Sequence, residues 1–208
     1  MNAQTERLVA TGAAGEIEVL RDHPADGLAH RGTAVIAHPH PLFGGTMDNK
    51  VVQTLARAFV QSGWTAVRFN FRGVGASAGQ YDEGRGEGED MRRLVDQLAP
   101  EGPLALAGFS FGAFVTSHVA AGLWATRPWE RLVLVGTAAS RFQVATLPGQ
   151  SPDRVLAIHG ERDETVALSS VLDWARPQSL PVTVVPGVEH FFHGQLPLLK
   201  SLVVRHLR

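Results

Sequence analysis

Cysteine is absent from the 208 residues, which excludes disulfides, Cys-ligated zinc, iron–sulfur clusters and a thiol nucleophile; any chemistry must use oxygen or nitrogen groups. Lysine is nearly absent too: 17 of the 19 cationic side chains are Arg, leaving only Lys50 and Lys200. Set against 20 Asp plus Glu, they leave a formal charge of −1. Composition therefore forces no basic face for nucleic acid or anionic lipid, and neither partner is expected. No stretch approaches the length of a membrane-spanning apolar segment, so no membrane span is expected. Residues 1–18 lack the apolar centre of a signal peptide, which makes a cytoplasmic location the expectation. Repeats, low-complexity tracts and charge blocks are missing as well. What remains is 44% hydrophobic, ample for one buried core, and a single domain over residues 1–208 is expected.

Strand and helix patterns alternate along the chain. Residues 6–11 and 15–21 read as a hairpin around a Gly-bearing turn. Apolar, β-branched runs at 33–38 (TAVIAH), 64–71, 103–109, 131–135, 154–159 and 181–185 read as strands. Helical periodicity lies between them at 48–62, with Asp48 as cap and Gly63 as stop, and again at 87–98, 111–124, 168–175 and 193–207. This alternation predicts an α/β fold: a mostly parallel sheet flanked by helices on both faces, with an antiparallel hairpin at its N-terminal edge. Fewer than 20 residues separate the strands ending near Val135 and starting near Arg154, too few for a large cap domain. The predicted site is therefore open, with loop 139–152 available to cover part of it.

The strongest local signal is Gly108-Phe109-Ser110-Phe111-Gly112, a G-x-S-x-G between the apolar strand PLALAGF and a helix. Elsewhere such a pattern is ordinarily just a turn. Here the two glycines relieve crowding in a sharp strand-to-helix turn that lifts the Ser110 hydroxyl above the sheet. A serine hydroxyl is a weak nucleophile and needs a base, itself oriented by a carboxylate. After RVLAIH comes GERDETV, offering Asp163, with Glu161 and Glu164 as competitors; after PVTVV comes PGVEHFFHG, offering His190, with His193 as competitor. Two backbone amides must also face a developing oxyanion. Phe111, following the serine, is the first candidate, and the loop His38-Pro39-His40-Pro41-Leu42 supplies the second. Its prolines lack an N–H, which leaves His40 or Leu42.

Two other patterns compete. Gly73-Val74-Gly75-Ala76-Ser77-Ala78 matches a dinucleotide fingerprint, but more Gly-rich loop follows it rather than a helix, and no acidic residue ends a strand about 20 residues on. No cofactor is expected. His38, His40, His190 and His193 could together ligate a metal, but the prolines around the first pair weaken that reading, and no metal is expected.

GFSFG, HGERDETV and GVEHFFHG resemble the nucleophile, acid and histidine motifs of the α/β-hydrolase superfamily. HPHPLFGGTMDNKVV and FNFRGVGASAG further resemble short bacterial members related to dienelactone hydrolase and the prolyl oligopeptidase-like enzymes. Dienelactone hydrolases use a cysteine where this chain has Ser110, a departure that favours esterase-like chemistry. The resemblance implies the α/β-hydrolase fold and a Ser110–His190–Asp163 triad. It favours His40 as the second oxyanion donor, since Pro39 stands where family loops of the form His-Gly-x carry glycine. The function it implies is hydrolysis of a small-molecule carboxylic ester or related acyl compound through an acyl-serine, without cofactor. A peptidase or thioesterase on the same fold, a metal-dependent hydrolase and a non-catalytic binding module are the alternatives.

Overall fold

Apolar runs punctuated by Gly and Pro form the strands. In chain order they are β1 (Thr5–Thr11), β2 (Glu16–Asp22), β3 (Gly32–Ala37), β4 (Trp64–Phe69), β5 (Leu104–Phe109), β6 (Arg131–Val135), β7 (Val155–Gly160) and β8 (Val182–Val185). The computed structural model, which describes residues 5–148 and 153–208, joins them in one eight-stranded sheet of order β1-β2-β4-β3-β5-β6-β7-β8. The expected hairpin β1–β2 is antiparallel and β2 runs antiparallel to β4; all pairs from there to β8 are parallel. The helices are α1 (Lys50–Gln61), α2 (Arg85–Leu98), α3 (Phe111–Leu123), α4 (Leu168–Ala175) and α5 (Leu196–His206).

Successive strand residues point to opposite faces of a sheet. Leu104 and Leu106 of β5 therefore pack into a core with Met91 of α2, Val115 of α3 and Val171 of α4. Ala105, Ala107 and Phe109 pack on the other side with Leu55 of α1 and Leu199 of α5. Burial on both faces is why these strands read as unbroken apolar runs.

Two of the departures from the expected boundaries have a visible cause. Asn49, not Asp48, caps α1: its side chain accepts from Val51 N–H at 2.9 Å, whereas Asp48 turns to pair with the buried Arg68 at 3.3 Å. The last helix starts at Leu196 and not at residue 193, because Phe192 adopts φ 55° and the His193 amide donates to Glu189 at 2.7 Å. Among the described residues no helix is long and apolar enough to cross a membrane. Between β6 and β7 the described residues 136–148 form neither helix nor strand, so no cap domain is built there. Residues 149–152 of the loop expected to cover part of the site lie outside the described residues.

The loops after β3, β5, β6, β7 and β8 all leave the same edge of the parallel sheet, where such folds place ligands. His38 secures the first of them. Its Nε2 accepts from Phe71 N–H at 2.9 Å and its Nδ1–H donates to the Pro39 carbonyl at 2.6 Å, tying the chain after β3 to the chain after β4. Burial drives its pKa down to about 4, since a charged imidazole would lose solvation and turn an N–H against the Phe71 amide. The unfolded chain takes up this proton near pH 6.5 and the folded chain only near 4. Falling pH across that window therefore favours unfolding, by about 3 kcal/mol from His38 alone. Urea unfolding at pH 7, 5.5 and 4.5 is expected to track this loss. His38→Gln should be less stable at pH 7 but lose roughly one proton of pH dependence; an unchanged slope would mean that His38 is not held neutral.

Candidate active site

The turn from β5 into α3 determines where the serine stands. Ser110 adopts φ 57° and ψ −116°, an unfavourable region for a non-glycine residue. Its N–H donates to Val135 C=O at 2.9 Å, and its own carbonyl accepts from Ala113 N–H at 3.0 Å. The flanking glycines are there for space. A Cβ on Gly108 would lie 2.4 Å from the Gly112 carbonyl oxygen, and one on Gly112 would lie 2.4 Å from that of His38.

The structure brings Ser110, His190 and Asp163 together from the ends of three strands. Ser110 Oγ lies 3.0 Å from His190 Nε2, and His190 Nδ1 lies 2.6 Å from Asp163 Oδ2. All three side chains are buried. Asp163 Oδ1 accepts from the Thr165 and Val166 amides at 2.9 and 2.8 Å. Burial pushes the Asp163 pKa up, but the His190 hydrogen bond and charge, the Val166 amide and the charge of His159 outweigh it and hold the carboxyl below its usual range. An ionised carboxylate only accepts hydrogen bonds. Nδ1 of His190 therefore carries the hydrogen, and Nε2 is the nitrogen that can take the serine proton.

The competing residues stand elsewhere. Glu161 is exposed and accepts from Gly187 N–H at 2.7 Å, bracing the acid loop against the turn after β8. Glu164 is exposed. His193 lies on the surface, 3.1 Å from Glu189. The four histidines weighed as metal ligands are dispersed: His38 has both ring nitrogens engaged, His40 lines the cleft, His190 meets Asp163, and His193 faces solvent. The Gly73–Ala78 loop does not open a helix either; α2 begins only at Arg85.

Of the amides considered for the oxyanion, Phe111 N–H opens α3 and so has no intrahelical acceptor, and neither it nor His40 N–H has a protein acceptor among the described residues. Leu42 N–H is turned toward the His40 ring nitrogen at 3.3 Å. His40 and Phe111 line a cleft of about 290 Å³ together with Ser110 and His190, and Leu42 does not. Phe43, Phe142 and Phe191 supply its apolar wall, and Asn49, Thr165 and Arg141 its remaining polar side chains. A larger cleft of about 460 Å³ beside α1 is lined by Asp22, Asp48, Arg57 and Arg68, but Arg68 pairs with both carboxylates, and the cleft offers no nucleophile–base pair.

Sequence reasoning did not single out Arg141, Phe142 or Thr165, which sit in loops whose packing no local pattern encodes. It also passed over His159, at the end of β7, whose Nε2 approaches Val166 O at 2.9 Å and Asp163 Oδ2 at 3.4 Å. Its place directly before Gly160 was the available signal.

Comparison with known proteins agrees with this architecture. A family model described as serine aminopeptidase, S33, matches residues 29–149. XC6422 from Xanthomonas campestris, described as an α/β serine hydrolase without lid, is 37% identical with a TM-score of 0.88 over 100% of this chain and 95% of its own. An α/β serine hydrolase homologue from Coxiella burnetii is 41% identical with a TM-score of 0.83, covering 98% of this chain and 97% of that one. The mitochondrial palmitoyl-protein thioesterase ABHD10 of Homo sapiens is 32% identical over 133 residues, 62% of this chain and 39% of its own length.

The close approach at Gly112 is directly testable. Gly112→Ala drives a Cβ into backbone oxygens that cannot yield, and is expected to cost about 3 kcal/mol, seen as a melting point lower by roughly 6–12 °C. Gly122→Ala in the same helix serves as control: its Cβ would meet nothing closer than Arg92 Nε at 3.7 Å, so stability should hold or rise. Equal melting points for the two variants would contradict the packing described for the turn.

Proposed function

The chain belongs to the serine aminopeptidase S33 family and is an α/β serine hydrolase, and on that premise we propose that it cleaves carboxylic esters or related acyl compounds of small molecules through an acyl-Ser110 intermediate. The observation that carries this reading is the hydrogen-bond chain Ser110–His190–Asp163 at the floor of an apolar cleft. In it, Ser110 Oγ attacks the acyl carbon as its proton passes to His190 Nε2. The carbonyl oxygen, now negative, takes hydrogen bonds from the Phe111 and His40 amides, which need no reorganisation to receive it. Asp163 holds the imidazole in the required tautomer and stabilises the imidazolium. His190 then gives its proton to the leaving group, and a water activated by the same imidazole releases the acid and restores Ser110. Neither a metal nor a cofactor enters these steps.

Thioester cleavage is the second reading, favoured by the likeness to a palmitoyl-protein thioesterase. Both substrates pass through the same tetrahedral geometry, and matched oxygen and sulfur esters of one acyl group separate them by their ratio of kcat/KM.

Ser110→Ala should fold normally yet lose at least several hundredfold in activity on short p-nitrophenyl esters, and it should no longer react with a fluorophosphonate. His190→Ala should be about as damaging, because triad members act as a unit. Near-normal turnover in either purified variant would overturn the assignment.

Asp163→Asn should lower the rate by up to roughly 10⁴, through the wrong tautomer and the lost charge, whereas Glu161→Gln and Glu164→Gln should do far less. Since the Asp163 carboxyl is held below its usual range, it stays ionised as pH falls through that range. The fall of kcat/KM toward acid pH should therefore include no second proton taken up by Asp163. An acid limb steeper than one proton in stable protein would count against this division of roles.

A further inference from the structure

The cleft above Ser110 has one side chain with a formal charge that the proposed chemistry does not use, Arg141. Its lining contains neither Asp nor Glu. Arg21, Arg68, Arg72 and Arg93 each meet a carboxylate at 2.7–2.9 Å; Arg141 has no such partner and its side chain makes no hydrogen bond among the described residues. The backbone that carries it is nonetheless anchored. Arg141 and Phe142 both donate to the Ala138 carbonyl, at 3.2 and 3.1 Å, and Ala138 N–H reaches the Ser110 carbonyl at 3.3 Å. The Phe142 ring then stacks on Phe114, centroids 4.7 Å apart, and meets the edge of Phe111 at 5.3 Å. The guanidinium is thus mounted on a turn fixed to the nucleophile's own strand end.

His40 feels its field. Burial and the nearby Arg141 charge hold the His40 imidazole below its ordinary pKa, and Arg141 is the one guanidinium in the cleft lining. A neutral ester has nothing to neutralise such a charge. In a concave site with apolar walls, a lone cation focuses potential on incoming ligands, and the planar guanidinium fork matches a carboxylate or other oxyanion with two parallel hydrogen bonds.

Resting on the reading of Ser110 as nucleophile, we propose that the substrate carries an anionic oxyacid group, such as a carboxylate, that pairs with Arg141 while its apolar part lies against Phe43, Phe142 and Phe191. The anion belongs to either the acyl or the alcohol half, and the test separates the two sources.

One arm compares mono-p-nitrophenyl adipate with p-nitrophenyl hexanoate, placing the charge on the acyl side. The other compares 3-carboxy-4-nitrophenyl butyrate with p-nitrophenyl butyrate, placing it on the leaving group. In at least one arm the anionic-to-neutral ratio of kcat/KM, corrected for intrinsic reactivity, should be about fivefold or more at low salt. It should shrink in 0.5 M NaCl as the charges are screened. Arg141→Gln should abolish that ratio, Arg141→Lys keep part of it, and Arg141→Glu invert it. A ratio of one in both arms, or a ratio untouched by Arg141→Gln, overturns the proposal. Binding gives a readout that does not pass through Ser110 chemistry. NMR titration of Ser110→Ala with monomethyl adipate and methyl hexanoate should give a dissociation constant severalfold lower for the anion, lost with Arg141→Gln if the acyl arm is the favoured one; 3-(butyryloxy)benzoate and phenyl butyrate, with the carboxylate on the alcohol half, serve the alcohol arm in the same way. If no ester is turned over but this binding difference appears and depends on Arg141, the nucleophile assignment falls and the anion site stands. If turnover depends on Ser110 but no charge preference appears in rate or binding, the reverse holds.

Discussion

Ser110 is held in a backbone conformation worth roughly 1–3 kcal/mol of strain, and the geometry of the cleft follows from how the sheet enforces it. β5 lies between β3 and β6, and α3 leaves its end so sharply that Gly112 presses on the carbonyls of Ala37 and His38 while Gly108 presses on Gly112. This one close approach positions the serine, sets the first amide of α3 beside it, and fixes the distance to the loop that follows β3. With any side chain at either glycine the helix would have to back away, and the Phe111 and His40 amides would separate with it.

The remaining groups reach Ser110 by being lashed to one another. The loops after β7 and β8 are joined through their backbones: Glu161 N–H donates to Val185 and Arg162 N–H to Val188, at 3.0 and 2.9 Å. Asp163 and His190 therefore move as one body. The carboxylate, satisfied on one oxygen by two amides and on the other by the imidazole, remains ionised although buried. An unpaired buried carboxylate would cost several kcal/mol; here the same bonds that offset the burial also orient the His190 imidazole. His38 performs a comparable service on the opposite wall, where a neutral imidazole reaches the chain after β4 with one nitrogen and its own loop with the other, and braces the backbone that presents the His40 amide.

The cleft differs from the core in its electrostatics. Arg68 and Arg72 are each paired with a carboxylate, whereas Arg141 lines a cleft that contains no carboxylate. A protein gains little stability from such a placement, which makes sense when the missing partner arrives with the ligand. The aromatic rings that hold the turn also shape the cleft, so the same packing serves both.

Much of this was legible in the chain because its information is local. Apolar, β-branched runs and a Gly-bearing turn disclosed the strands, and the order strand–helix–strand placed their carboxyl ends together. Glycines flanking Ser110 marked the elbow, and the positions of Asp163 and His190 after successive strands marked their candidate roles. Boundaries set by competition were not legible: Asp48 yields the α1 cap to Asn49 because Arg68, distant in sequence, claims its carboxylate. Strand-end position and the family resemblance favoured Asp163 over Glu161 and Glu164, and His190 over His193, but which of these side chains come within hydrogen-bond reach of one another depends on how the loops fold. Arg141 could not be distinguished at all from the other 16 arginines. The sequence by itself determined the α/β framework and the residues able to meet at one sheet edge, because backbone periodicity and steric demand act over a few neighbours. Only the tertiary structure decided which of them touch and what charge the cleft presents, because hydrogen bonds and electrostatic fields depend on distances between segments that the chain order leaves free.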